Sequence, residues 1–526
     1  MDLDALGLGT NFSTLDWVIV AVYLIATVAI GLYANRYIAN MTDYIVAGRS
    51  LRSYLGVATM IGTELGLVTV MYASQAGFLK GFAAFHVALV AGVVTLLVGL
   101  TGFIVVPLRR MGVMTIPEFY EKRFSRGVRV VGACILVASG VLNMGLFLKI
   151  GSIFVAGLTG MTSQLQVNIV MTVLLALVLV YTVLGGMVSV IITDYIQFIV
   201  LSAGLLLACV LATRTIGWDN TVETLRSIRG ESGMNPLDRN AFGPLYPVWI
   251  TFVGLAGCAV WQTAVMRACA MENAKLVKRL FVWSSVGFLV RWLLPCFLGV
   301  CALTYCWQNP QLKSFFFDEH MEPVVTASPW ALPVFLSQIL PAGVIGLIGA
   351  AMLAAFMSSH DSYLLCWSSV VTQDIVAPLF GERLSTRRRL LITRAVILLV
   401  GLFLLVWGLW YPLDQSMWSY MAISGAIYFT SAFALLAFGL YWKSASTAGA
   451  YMALACGFTA IVALGPVSRP LGLKKIAAAL DWGPPDLVLE SIAGLGALVL
   501  ACIAMVVGSL IFPDRNRRSH LREIEA

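Results

Sequence analysis

Residues 55–77 read LGVATMIGTELGLVTVMYASQAG, a run long enough to cross a bilayer core, which takes about 20 apolar residues as helix. Gly62 and Gly66 interrupt it and bracket Thr63, Glu64 and Leu65. A second interrupted run, WITFVGLAGCAVWQTAVMR at 249–267, carries Gly254 and Gly257 in its middle and lies five apolar runs further on. Two broken spans so placed predict a transporter core of two inverted repeats, each opening with a helix unwound at the binding site. Unwound backbone at membrane depth exposes carbonyls and amides, which is tolerated only where they line a cavity or hold something. Glycine pairs also serve plain close packing of helices.

The whole chain fits this setting. Of its 526 residues 60% are hydrophobic and only 11% charged, with a mean hydropathy of +0.90, whereas a soluble protein carries roughly a quarter charged residues. Apolar runs at 15–34, 53–77, 82–108, 128–158, 167–184, 187–213, 246–270, 277–307, 342–375, 386–413, 415–441, 446–467 and 486–512 predict an all-α polytopic membrane protein of about thirteen transmembrane helices. The expected organisation is an N-terminal tail and extra helix at 1–52, a first five-helix repeat at 53–213 and an outer loop at 214–245. A second five-helix repeat at 246–441 follows, then two C-terminal helices and a cytoplasmic tail at 442–526. Leu15–Ala34 reads as a retained span, because no basic residue precedes it as in a signal peptide. Prolines 329, 333 and 341 punctuate the other long outer loop, 308–341, which is expected to carry a short lid helix.

The net charge of +8 reflects orientation rather than nucleic-acid binding. With the N-terminus outside, 22 of the 34 Lys and Arg residues fall in cytoplasmic segments, which hold Arg36, Arg49 and Arg52, Arg109 to Arg129, Arg267 to Arg279, Arg383 to Arg389, Lys443 and Arg515 to Arg522. That bias predicts N-out and C-in. The ten cysteines are scattered through apolar runs, without the spacing of a disulfide framework or a zinc site. No G-x-x-x-x-G-K-[ST] is present, so direct ATP drive is not expected.

The stretch at 349–374, GAAMLAAFMSSHDSYLLCWSSVVTQD, puts Ala355, Ser358, Ser359, Ser362, Cys366 and Ser369 on one narrow helical face. Small residues let helices approach closely, and the same hydroxyls are hard oxygen ligands for a small cation. Asp361 lies beside the stripe, and an ionisable group inside a span costs about 2.5 kcal/mol or more unless it faces a polar cavity. His360 is expected to be a packed neutral histidine on the far side of the helix.

Six motifs in order resemble the sodium:solute symporter family: YIVAGRSL at 44–51, MTIPEFYEKRFS at 114–125, GGMVSVIITDYIQ at 185–197, WQTAVMRACAMEN at 261–273, the stretch around AAFMSSHDS, and GLYWKSASTAGA at 439–450. The resemblance implies a leucine-transporter-like core and sodium-driven uptake of a small polar solute by alternating access. It places sodium on the carbonyls of Gly62, Leu65 and Ala355 and the hydroxyls of Ser358 and Ser359. It also points to a second cation site at Asp194, Asp361 and Ser362, where Asp361 replaces the family's hydroxyl and makes a protonatable pair the alternative. Candidate substrate contacts are Thr63, Glu64, Thr69, Lys149, Trp261 and Gln262. Glu64 and Lys149 are expected to face the solute or to pair with each other, and Trp261 to stack on it or pack in the core. Sugar-carrying members have a Glu-Gln pair and an Asn where this chain has Val68-Thr69 and Trp261, which argues against a hexose.

The implied partners are the solute, sodium ions and the lipid bilayer, with no cofactor, no enzyme activity and no nucleic acid. A bacterial inner membrane is the expected location. Competing readings are a proton-coupled or sodium-independent carrier of the same fold, a channel and a solute sensor. His86 and Arg291 are further ionisable residues within spans, with no role legible from sequence.

Overall fold

The computed structural model describes residues 9–34, 49, 51–161, 163–380, 385–413 and 415–514. Most of the motif at 44–51, together with Arg36, Arg383 and the basic run from Arg515 to Arg522, lies outside the described residues. Within them the protein is helical, with two isolated bridges, Leu51 to Met271 and Phe317 to Pro323, as its only extended pairings. Among the described residues nine helices are long and apolar enough to cross a membrane, and three shorter apolar helices accompany them.

The first helix, α1, is Thr14–Ala34. The interrupted run divides as expected into α2, Ser53–Glu64, and α3, Leu67–Lys80. A 3-10 turn at Gly81–Ala84 joins α3 directly to α4, Phe85–Thr101. Leu67–Thr101 therefore counts as one long apolar segment, which is one reason the tally departs from thirteen. The run at 128–158 is likewise two helices, α5 at Arg126–Met144 and α6 at Phe147–Thr159.

The runs at 167–184 and 187–213 form one helical segment, α7, Gln164–Ile216, opened by a Ser163 capping box with Gln166. Straight, its 53 residues would extend about 80 Å, more than twice a bilayer core. Its two halves have different neighbours. Met171, Leu175 and Leu179 pack along Gly408 and Gly401, and the Val183 carbonyl accepts from Arg394, so this half runs against α12, Thr386–Trp410. Asp194 meets Ser358 and Gly204 faces Ala351, so the other half runs against α11, Val344–Val370. Helices α11 and α12 are joined by a short connection and tied at their near ends by Thr393 to Thr372 at 2.9 Å. The two halves of α7 thus pack against different helices, the first against α12 and the second against α11.

The seventh run breaks later than expected. Helix α8, Tyr246–Ala259, runs through both Gly254 and Gly257, and the interruption falls at Val260 and Trp261 before α9, Gln262–Ala270. Close packing does not demand either glycine, since a Cβ on Gly257 would meet nothing within 4 Å and one on Gly254 would make only contacts of 3.7–3.9 Å. Helix α10, Ala274–Gln308, starts at an Asn273 N-cap and contains Pro295, which cannot donate to the carbonyl one turn back at Arg291. The chain ends in α13, Met417–Tyr441, α14, Thr447–Phe458, and α15, Pro485–Ile511. The loop at 308–341 carries two short helices, Pro310–Phe316 and Ala331–Ile339, rather than one.

Helix α11 is the axis of the bundle. Its apolar window is 89% buried, against 28% for α12 at the periphery. Helices α3 and α10 approach closely at reciprocal glycines: a Cβ on Gly77 would sit 2.0 Å from the Cys296 carbonyl, and one on Gly299 1.9 Å from the Ser74 carbonyl. Backbone cannot yield as a side chain does, so Gly77→Ala or Gly299→Ala is expected to cost about 1–3 kcal/mol. Gly257→Ala should cost nothing measurable, and thermal unfolding in detergent ranks the three variants.

Candidate ion and solute site

Helix α2 ends at Glu64. Leu65 (φ −92°, ψ 56°) and Gly66 (φ −79°, ψ 166°) lead out of it and into α3. A helix terminus leaves its last carbonyls without partners. Here the Thr63 carbonyl accepts from Ser359 Oγ at 3.2 Å, and the Glu64 carbonyl accepts from Thr69 Oγ1 at 2.8 Å and Arg291 Nη1 at 3.2 Å. The carbonyls of Gly62 and Leu65 receive no such donor among the described residues. Helix α11 lies directly on this break, for a Cβ on Gly66 would fall 1.8 Å from Ser359 Oγ and 3.5 Å from the Ala355 carbonyl. The two segments carrying the five expected sodium ligands, Gly62, Leu65, Ala355, Ser358 and Ser359, are thus in contact. Ser358, one residue round the helix, donates to Asp194 Oδ1.

The positive charge at Asp194 is a residue that sequence reasoning assigned to a cytoplasmic segment. Arg267, 2% exposed, bonds Thr59 (Nε to O, 3.2 Å), Thr263 (Nη1 to O, 3.1 Å) and Ser362 (Nη2 to Oγ, 2.9 Å), and also reaches Thr63 Oγ1. Its Nη2 lies 3.4 Å from Asp194 Oδ2, which also accepts from Thr59 at 2.6 Å and Thr63 at 3.1 Å. The expected second site thus has two of its three members, Asp194 and Ser362, gathered around a guanidinium. Asp361 is fully buried on the same helix. The signal for Arg267 was available, because it falls within the apolar run 246–270, where a lone arginine must find a buried anion.

Beside the break lies a cavity of about 100 Å³ bordered by Glu64, Tyr72, Asn143, Gly257, Trp261, Phe288, Arg291, Trp292, Tyr363, Trp418 and Phe429. Glu64 pairs with Arg291 at 2.6 Å, not with Lys149, whose Nζ bonds the Tyr411 carbonyl at 2.6 Å. Arg291, an in-span residue with no role legible from sequence, also stands over the Phe288 ring at 4.1 Å. Of the other residues expected at the solute, Trp261 borders the cavity and donates to Tyr363 OH at 3.0 Å. Thr69 supports the break through its bond to Glu64, and Thr63 belongs to the Arg267 network. Gln262 accepts from the Ile116 amide at 2.9 Å, which fixes a connecting loop. His360 is fully buried, its Nδ1 2.8 Å from the Phe356 carbonyl.

Aromatic rings close the cavity at both ends. Toward the 214–245 and 308–341 loops, Tyr72, Trp292 and Trp418 pack with ring centroids 4.7–5.0 Å apart. Trp418 also borders a space of about 300 Å³ lined by Lys80, Tyr246 and Gln415, so one indole divides that space from the cavity. At the other end Trp261 packs against Tyr363 and Trp367. Beyond them Arg129 pairs with Asp374 at 2.8 Å, where α11 widens into a π turn over Val371–Val376.

The family model described as the sodium:solute symporter family matches residues 44–457. A sodium/glucose cotransporter from Vibrio parahaemolyticus is 24% identical over 88% of this chain and 87% of its own. A sodium/proline symporter from Staphylococcus aureus is 24% identical over 86% of each. The solved structure of a Na+-coupled sialic acid symporter, outward-open and substrate-bound, superposes with a TM-score of 0.78 at 18% identity, covering 96% of this chain and 100% of that one. That likeness shows a shared fold.

Proposed function

Because the chain belongs to the sodium:solute symporter family, we propose that it moves one sodium ion with each solute molecule, the ion held at the break between α2 and α3 and the solute in the adjoining cavity. The protein is an integral multi-pass membrane protein whose activity is sodium-coupled symport of a solute. The observation that carries the assignment of the site is a break whose Gly62 and Leu65 carbonyls receive no donor among the described residues and whose Gly66 lies against Ser359 and the Ala355 carbonyl of α11. Four or five neutral oxygens suit a monovalent ion that must leave in every cycle. A sodium ion there joins α2 to α11 and favours the arrangement in which both contribute ligands, which gives coupling its physical basis.

One ion, not two, follows from Arg267. Its guanidinium occupies the surroundings of Asp194 and Ser362 with a fixed positive charge, so a second sodium ion there would meet like charge. Alternating access is read as rocking of inverted repeats at 53–213 and 246–441 in the cell membrane, N-out and C-in, with Trp418 and the Arg129–Asp374 pair as parts of opposite closures. In proteoliposomes an inward sodium gradient is expected to accelerate solute uptake about tenfold or more, with a sodium Hill coefficient of one. Uptake indifferent to sodium would overturn the coupling, and a coefficient near two would overturn the single ion.

A further inference from the structure

Five N–H groups project from a guanidinium, and in Arg291 the protein uses only one corner of it. Nη1 serves Glu64 through both its carboxylate and its carbonyl. The other edge, Nε and Nη2, donates to no acceptor among the described residues, although Nε is buried. The group borders the cavity and is held in its plane by the Glu64 contact on one corner and the Phe288 ring beneath it. A planar edge with two parallel donors matches a carboxylate, which accepts from both at once.

We propose that the cavity selects small organic monocarboxylates, the carboxylate docking on the Nε–Nη2 edge of Arg291 and the apolar remainder filling the space between the aromatic walls. This rests on the cavity being the solute site. The remaining polar groups favour the acid over other classes. Asn143 already donates to the Met421 carbonyl and Ser424 Oγ, Tyr72 OH to Thr69, and Tyr363 OH takes the Trp261 N–H. A polyol would find few partners for its many hydroxyls. The ammonium of an amino acid would have to compete for a Glu64 carboxylate already held by Arg291 and approached by Thr263 at 3.4 Å. The charged groups Glu64 and Arg291 cancel, so an entering anion is balanced by the sodium ion at the adjacent break.

The test is a binding panel on the purified full-length protein, from acetate to phenylacetate, each acid paired with its primary amide and its α-amino counterpart, with and without sodium. At least one acid is expected to bind in sodium about 100-fold more tightly than its amide, since the amide leaves the buried fork half paired. Arg291→Lys is expected to weaken that acid at least tenfold, because an ammonium lacks the fork. Glu64→Gln/Arg291→Gln, which removes both charges together, is expected to abolish the preference for acid over amide. Amides bound as well as acids, amino acids bound more tightly than their parent acids, no acid bound at all, or acid binding unchanged in the double variant would each overturn the proposal. A sodium-induced rise in thermal stability, measured without solute, reports the ion site separately. If it persists in every variant while acid selectivity fails, the monocarboxylate proposal falls and the ion site stands. Carriage of a monocarboxylate with one sodium ion moves no net charge, so an inward current accompanying acid-selective uptake would overturn the single-ion stoichiometry and leave the carboxylate assignment intact.

Discussion

Replacing Ser358 and Ser359 together by alanine is expected to weaken sodium affinity about 100-fold or more, since even the loss of groups that merely orient metal ligands costs 10- to 100-fold. Both hydroxyls belong to α11, which lies on the break between α2 and α3, and alanine keeps the helix and its small profile, so folding should survive. Ser359→Ala alone removes the hydroxyl that reaches the Thr63 carbonyl, whereas Ser358→Ala also strips a hydrogen bond from Asp194. The first variant therefore isolates the ion and the second mixes ion with scaffold. Sodium-dependent thermal stabilisation of the purified protein measures both without knowledge of the solute. An unchanged sodium midpoint in the double variant would move the ion elsewhere.

The second large effect is expected at Arg267. Removing one partner of a buried ion pair leaves an uncompensated charge, at a cost of about 3–5 kcal/mol, whereas removing both is often nearly neutral. Arg267→Gln should therefore unfold far more easily than the native protein. Asp194→Asn/Arg267→Gln should recover most of that loss, because the amides can still bond Thr59, Thr63 and Ser362. In the single variant Asp194 faces an empty space beside three hydroxyls, and added sodium is expected to restore stability in part and to raise the Hill coefficient above one. If sodium leaves Arg267→Gln as unstable as it was without the ion, Arg267 is a structural residue and not the substitute for a second ion.

How far the sequence could be read depended on whether a residue's partner is local or remote. The break at Leu65 and Gly66 was legible because small residues and an ionisable side chain interrupt an apolar run, and those are properties of the chain itself. The stripe on α11 was legible from helical periodicity. By contrast Gly254 and Gly257 mimic a break in composition, while the chain unwinds at Val260 and Trp261, two bulky residues that carry no such mark. The partner of Glu64 was misread for the same reason: Lys149 and Arg291 are equally conspicuous in sequence, and only packing decides that α10 faces the break while the Lys149 amine reaches the end of α12. Arg267 was missed because counting charges by loop treats a basic residue near the end of a run as solvated, whereas here α9 carries it inward.

The break in the first span has a further consequence, electrical rather than geometric. Aligned peptide dipoles give a helix roughly half a positive charge at its start and half a negative charge at its end. At Leu65 and Gly66 the negative end of α2 and the positive end of α3 lie two residues apart. Such a fixed pair of partial charges favours a cation and an anion arriving together over either arriving alone. Because peptide dipoles do not titrate, that preference would hold across the whole pH range in which the fold survives.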